Sequence, residues 1–108
     1  MDKRVVETVR RLKEALEAMD IRVERVVVFG SHAEGSADEE SDIDIAVISG
    51  DFRDKNILQR FELLGTAFAR AKITTPVDAI AYTPDEFESK KEGTFAGDEI
   101  KSKGVELF

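Results

Sequence analysis

Two aspartates separated by one residue are the first feature of this sequence that could do chemistry. Asp42 and Asp44 flank Ile43 at the start of an apolar run. Side chains alternate along a strand, so both carboxylates would point to one face, about 6.6 Å apart along the chain. At 4 Å and an effective dielectric constant of 20, two such charges repel by about 4 kcal/mol. A shared proton, a basic partner or a divalent cation would relieve this repulsion. Residues 26–52 contain no lysine or arginine, and an all-oxygen ligand set suits Mg²⁺.

A glycine–serine pair precedes the aspartates at a defined spacing. Gly30 and Ser31 follow the first β-branched run, and nine residues separate Ser31 from Ser41, which stands next to Asp42. Glycine lets the backbone approach a ligand closely, and free N–H groups at the start of a helical turn attract phosphate oxygens. If the two runs form paired strands, a phosphate at Gly30 and Ser31 would lie beside a metal at the aspartates. We therefore expect Gly30, Ser31 and Ser41 to belong to a nucleotide-binding site.

Asp78 is a third acidic residue inside an apolar run, Val77-Asp78-Ala79-Ile80. If this run pairs with the strand that carries Asp44, Asp78 completes a carboxylate triad able to hold two metal ions about 3.5–4 Å apart. Two such ions clamp the attacking and leaving oxygens of an in-line phosphoryl displacement. Asp78 could also act as a general base on the incoming hydroxyl.

Each of these features also has an ordinary structural explanation. The glycine–serine pair could be a turn that ends a strand. Asp42 could cap a turn, while Asp44 and Asp78 could be solvated strand residues. His32 is the single histidine of the chain, and we expect an exposed loop side chain. The acidic run 38–40 is expected to be a solvated loop tip.

Hydrophobic periodicity predicts the elements that must position these residues. Apolar residues spaced by four and three indicate two amphipathic helices with buried stripes. These stripes are Val5, Val9, Leu12, Leu16 and Met19, then Ile57, Phe61, Leu64, Phe68 and Ala71. Strands are predicted at 21–29, 42–49 and 77–83, with a helical turn after residue 30 and shorter elements at 84–87, 98–102 and 105–108. The order α-β-β-α-β-α-β predicts an α/β or α+β domain, a small mixed sheet with helices packed on it.

Composition limits the class of protein. The chain of 108 residues is long enough for one domain, which we place at 1–108. A net charge of −7 argues against direct binding to the nucleic-acid backbone, which requires a basic surface. The absence of cysteine excludes disulfides and thiolate metal sites. Neither a secretory signal nor a membrane-spanning run is visible. We therefore expect a cytoplasmic protein.

The combined motif resembles the signature of the DNA polymerase β-type nucleotidyltransferase superfamily. It consists of Gly30-Ser31, the nine-residue gap, Ser41-Asp42-Ile43-Asp44 and the later Val77-Asp78. The chain length and the closing segment 104–108 are similar to the minimal nucleotidyltransferase (MNT) family of that superfamily. The resemblance implies a polymerase β palm-like fold, a triphosphate bound by Gly-Ser, and Mg²⁺, as two ions, held by the three aspartates.

The resemblance also implies an activity and a partner. The activity is transfer of a nucleoside monophosphate, AMP from ATP, to a hydroxyl. Some members of the family are antitoxins that pair with a helical toxin of the HEPN class and add AMP to a tyrosine of that toxin. The chain departs from the family at His32 and Glu34, where members often carry arginines that would touch phosphate oxygens.

Three hypotheses therefore stay open at this point. The first is a Mg²⁺-dependent nucleotidyltransferase that modifies a partner protein. The second is a catalytically weak antitoxin or regulatory module that acts by forming a complex, which Glu34 favours and the three carboxylates oppose. The third is a structural acidic domain that binds neither metal nor nucleotide. The sequence does not identify the acceptor, the nucleobase or whether the chain forms a homo-oligomer.

Overall fold

The computed structural model describes residues 1–38, 40–89 and 96–108, which form a four-stranded mixed sheet flanked by helices. The helices are α1 (Lys3–Ala18), α2 (Ser31–Glu34), α3 (Ile57–Arg70) and α4 (Pro84–Glu88), with a 3₁₀ turn at Gly50–Phe52 and a π-type helical segment at Ala96–Ser102. The strands are β1 (Arg25–Phe29), β2 (Ile43–Ile48), β3 (Val77–Tyr82) and β4 (Val105–Glu106). The predicted fold class and element order are confirmed.

The sheet has the order β3-β2-β1-β4. Strand β1 pairs antiparallel with β2 and β4, and β2 pairs parallel with β3. All four strands are shorter than predicted. The largest difference is at β1, which begins at Arg25 because Ile21 and Val23 pack into the core without joining the ladder. Strand β3 is an edge strand among the described elements.

Helix α1 buries its apolar stripe as the sequence predicts. The Asp2 carboxylate accepts a hydrogen bond from the Arg4 N–H at 2.7 Å, the N-cap expected at a helix start. Val5, Val9, Leu12 and Leu16 are at most 2% exposed. They pack with the side chains that one face of β1 and β2 presents, so α1 covers that face of the sheet.

Helix α3 buries only part of its predicted stripe. Its start is fixed by a capping box between Asn56 and Gln59, and Leu64 is 4% exposed. However, Ile57 is 83% exposed and Phe61 is 68% exposed. The prediction of a fully buried stripe is therefore wrong for the first half of this helix, because no described element packs over these two side chains.

A second, smaller core covers part of the opposite face of the sheet. It joins Val27, Ala46 and Ile48 to Phe87 of α4 and Ile100 of the π-type segment. Phe87 is 1% exposed, so its ring faces inward. Helix α4 follows the carboxyl end of β3, so it lies at one end of this face, and the described elements leave the other end open. No helix in the described ranges is long and apolar enough to cross a membrane.

Candidate active site

Strand register brings the predicted acidic residues into one row. Phe29 at the end of β1 is opposite Asp44 of β2, and Asp44 is opposite Asp78 of β3. Asp42 precedes the first residue of β2 by one position, so alternation places it on the same face as Asp44. The sequence predicts this adjacency only if the strands pair, and the observed pairing satisfies that condition. The row lies at the open end of the sheet face.

Gly30 holds the end of β1 directly against Asp44. Its φ of 71° lies in the left-handed region that side chains rarely adopt. A Cβ at this position would lie 2.5 Å from Asp44 Oδ2, closer than any real contact. The backbone angle therefore favours glycine, and any side chain here would displace the Asp44 carboxylate. The close approach puts main-chain atoms of residue 30 beside a catalytic candidate.

Ser31 begins the helical turn α2. The Gly30 carbonyl accepts hydrogen bonds from Ala33 and Glu34 N–H at 3.1 Å each, which turns the chain immediately after β1. Within residues 1–38, 40–89 and 96–108, no hydrogen bond engages the Ser31 hydroxyl or the Ser31 N–H. These donors are thus available to a bound anion next to Asp44.

Ser41 differs from the other predicted residues because its side chain already has a partner. Its hydroxyl donates to Asp38 Oδ1 at 3.1 Å and accepts from the Asp38 N–H at 3.0 Å. Its carbonyl lies 3.2 Å from His32 Nε2. In this state Ser41 therefore shapes the loop between α2 and β2, and His32 is half-buried rather than exposed. The acidic tip at 38–40 includes residue 39, which lies outside the described residues.

Electrostatics at the row favour a bound cation. Burial raises the pKa of the Asp44 carboxyl, the charges of Asp78 and Asp42 raise it further, and His32 acts in the opposite direction. No ion pair to a described lysine or arginine neutralises the three aspartates. All-oxygen donors with unrelieved negative charge suit a hard divalent cation. The described side chains, however, contain no group of three acidic or histidine residues already gathered around one point.

The sequence analysis missed the residues that extend this site beyond β3. A surface cavity of about 470 Å³ adjoins Asp44 and Asp78 and is also lined by Phe61, Gly65 and Phe68 of α3. A Cβ built on Gly65 would meet nothing within 4 Å. Glycine inside a helix costs about 1 kcal/mol relative to alanine, and here no packing requires it. A glycine in a helix without a packing reason was the sequence signal that could have indicated a ligand-facing surface on α3.

Comparisons with known proteins agree with this geometry. The sequence profile of the family described as "Nucleotidyltransferase domain" matches residues 9–106. A search of curated proteins finds no match. Among solved structures, a candidate nucleotidyltransferase from Sulfolobus solfataricus aligns with a TM-score of 0.61 and 23% identity, over 100% of this chain and 89% of the other. A toxin-antitoxin structure with AMP-PNP aligns with a TM-score of 0.61 and 22% identity, over 95% of this chain and 72% of the other. At these identities the two structures show a shared fold.

Proposed function

The chain belongs to the nucleotidyltransferase domain family, and from this premise we propose that it transfers AMP from ATP to a hydroxyl of a partner protein. Enzymes of this family generally use a nucleoside triphosphate and a divalent metal. The observation that carries the proposal is the register that aligns Phe29, Asp44 and Asp78 across three paired strands, with Gly30 lying against Asp44. In the proposed reaction a phosphate binds at Gly30, beside the two carboxylates. The proposal places the reaction in the cytoplasm.

Each residue of the row has a distinct role in the proposed reaction. Asp42, Asp44 and Asp78 would hold Mg²⁺ as two ions. The backbone at Gly30 and the Ser31 donors would bind the triphosphate, with Ser41 joining them once nucleotide replaces its contact with Asp38. Bound Mg²⁺ would neutralise the carboxylates and stabilise the charge that develops on the phosphate oxygens.

The transfer itself is an in-line displacement at the α-phosphorus. The acceptor oxygen forms the new P–O bond while the bond to the pyrophosphate leaving group breaks. The hydroxyl proton passes to a carboxylate, and Asp78 is the candidate base because it lies on the exposed edge strand. Donors at Gly30 and Ser31 stay with the departing pyrophosphate and stabilise its charge.

We propose a helical toxin of the HEPN class as the partner. The family resemblance supports this, and one structural neighbour is a toxin-antitoxin crystallised with AMP-PNP. An acidic chain with net charge −7 is poorly suited to bind a nucleic-acid acceptor directly. A protein acceptor fits both observations.

Transfer of label from ATP carrying it on the α-phosphate tests the proposal. The chain, Mg²⁺ and the product of the neighbouring gene are incubated together, and label on the partner is measured. Asp44→Asn should remove transfer by at least about a thousandfold, because the row loses a metal ligand. It should fold at least as stably as the parent without metal, since it removes a carboxylate whose pKa is raised in the folded state by burial and then by the charges of Asp78 and Asp42.

A matched control is Asp54→Asn, which removes the same charge from an exposed turn away from the row. It should transfer label at the parent rate. Equal activity of Asp44→Asn and the parent would contradict the proposed chemistry.

A binding module is the second candidate function, and Glu34 favours it. This exposed acid ends α2, close to where the triphosphate charge would lie, and no described cation pairs with it. A stable complex with the partner that forms equally well with Asp44→Asn, without label transfer, would favour this alternative.

A further inference from the structure

A continuous groove follows the free edge of β3 away from the aspartates. The cavity beside Asp78 is followed by a second one of about 520 Å³, which ends at Tyr82 and Glu86. The two share the lining residues Phe61, Leu64, Ala79 and Ile80. We call the combined surface the β3 groove. Consecutive residues of β3, whose side chains point to opposite faces of the sheet, line the groove. The groove therefore passes around the free edge of β3.

The backbone along this edge offers regular hydrogen-bonding groups. The Pro76 and Tyr82 carbonyls accept from Ile43 and Ser49 N–H at 3.0 and 2.9 Å. Even-numbered residues of β3 therefore bond to β2, and odd-numbered residues point their N–H and C=O groups outward. The Ala81 carbonyl accepts from Arg60 at 3.3 Å. No hydrogen bond from another described residue reaches the outward groups of Val77 and Ala79.

The α3 wall of the groove has features that the fold does not use. Ile57 and Phe61 are 83% and 68% exposed, and Gly65 faces open space. A missing side chain between aromatic residues leaves room for a ligand to approach the helix. These residues line the groove together with the outward edge of β3.

The direction of the displacement connects the groove to the acceptor. In an in-line reaction the nucleophile enters opposite the leaving group. Gly30 and Ser31 hold the leaving side at the end of β1, and β3 is on the other side of β2. The acceptor oxygen therefore arrives from the Asp78 side, where the groove begins.

The charge of the residues that line the groove indicates which kind of molecule carries the acceptor oxygen. Arg60 is the only cationic side chain among the described residues that line the groove, and Glu86 already pairs with it at 2.7 Å. Asp44 and Asp78 stand at the other end. An apolar and acidic surface repels a phosphate backbone and complements a polypeptide with apolar and basic side chains.

We propose that the acceptor hydroxyl is carried by an extended polypeptide segment that adds to β3 as a further strand. Val77 and Ala79 bond its main chain, and Phe61 and Phe68 contact its side chains across Gly65. The hydroxyl residue of the segment lies at Asp78. This inference rests on the proposed transferase function and assigns its acceptor site.

Filling the groove without harming the fold tests this inference. Leucine is a far better helix former than glycine, so Gly65→Leu should raise the melting temperature by several degrees while it blocks the groove. Thr66→Leu is the matched control, because Thr66 is the next residue and lies outside the groove. The substrates are an array of short peptides, each with one serine, threonine or tyrosine, and a single-stranded RNA with a free 3′ hydroxyl.

The expected result is labelling of peptides and not of RNA. Gly65→Leu should lower peptide labelling at least about tenfold, with unchanged affinity for the Mg²⁺ complex of a non-hydrolysable ATP analogue. Thr66→Leu should label as the parent does. In NMR titrations with the best-labelled peptide, the amides of Val77 and Ala79 should shift and gain exchange protection, more than those of Asp78 and Ile80.

Other outcomes separate this inference from the function on which it rests. Labelling of RNA, unchanged peptide labelling by Gly65→Leu, or labelling of the partner protein without labelling of any peptide would overturn the acceptor site. If the parent chain does not bind the nucleotide, that result would instead contradict the proposed transferase function.

Discussion

Helices α1 and α3 carry the same apolar spacing and have different surroundings. In α1 the four leading stripe residues are at most 2% exposed, whereas in α3 Ile57 and Phe61 are among the most exposed apolar side chains of the described chain. A polar contact stabilises the start of α3 instead. The Arg60 guanidinium donates to the Lys55 carbonyl at 2.9 Å and forms two hydrogen bonds with Glu86.

This difference shows what periodicity measures. Spacing by four and three indicates that a helix has an apolar face, but not which molecule covers that face. Helix α1 supports the sheet, whereas one side of α3 borders the site and the β3 groove from Ile57 to Phe68. The second half of α3, with Leu64 and Ala67, joins the same core as α1.

Truncation of one apolar stripe residue in each helix should give the largest difference between α1 and α3 in the free energy of unfolding. Leu12→Ala in α1 should lower the free energy of unfolding by about 2–5 kcal/mol, because it leaves a cavity in a packed core. Phe61→Ala in α3 should change it by less than about 0.5 kcal/mol, since an exposed side chain loses little packing. Urea unfolding of both variants measures this. A cost above 2 kcal/mol for Phe61→Ala would show that the chain itself covers this residue.

The polar anchor of α3 should make the stability of the chain depend on pH through Glu86. The Arg60 guanidinium, with Thr83, lowers the pKa of Glu86 to about 2 from 4.5. A lowered pKa contributes stability above the unfolded value, and this contribution is lost as pH falls from about 5 toward 2. Glu86→Gln should therefore cost about 1–2 kcal/mol at pH 7, less than the full shift implies, because the Glu86 side chain is 41% exposed.

Unfolding at several pH values measures this contribution. The difference between Glu86→Gln and the parent should shrink on acidification and nearly vanish at pH 2. Glu62→Gln, which removes an exposed acid of α3, should show little difference at any pH. A constant gap for Glu86→Gln across the whole range would indicate that lost packing, not the ion pair, is responsible.

Substitutions that change only helix propensity should have the smallest effect on stability. The effect should have opposite signs in the two helices, because glycine is removed from α3 and introduced into α1. Gly65→Ala should stabilise the chain by about 0.5–1 kcal/mol, because its Cβ meets open space. Ala15→Gly in α1 should destabilise it by about 1 kcal/mol or slightly more, since Ala15 packs partly against the core. Thermal unfolding of the two variants provides the comparison. Destabilisation by Gly65→Ala would mean that something occupies the space in front of the helix.

Much of the fold could be predicted because the signals are local. The buried stripe of α1 and the helix start at Pro84 each depend on residues within a few positions of one another. The adjacency of Asp44 and Asp78 required strand pairing, which the sequence analysis could state only as a condition. Pairing depends on the packing of elements distant in sequence, so the structure was needed to establish it.

Other features had no local signal. The partner of the Ser41 hydroxyl depends on the conformation of the loop at Asp38. The exposure of Phe61 depends on what packs over α3, and the aromatic wall of the site follows from that. Only Gly65 carried a warning in the sequence, as an unfavourable helix residue without an evident packing reason.

The pairing of β1 with β4 has a consequence for the order of folding. Val26 donates to the Phe108 carbonyl at 3.0 Å and accepts from the Leu107 N–H at 2.9 Å, joining positions distant along the chain. Gly104 admits this approach, because a Cβ there would collide with the Ile100 carbonyl and Val27. Closing so long a loop costs more entropy than forming the β1–β2 pair. We therefore expect β4 to dock after the other strands and to detach first, so its amides should exchange through local opening well below the global unfolding free energy.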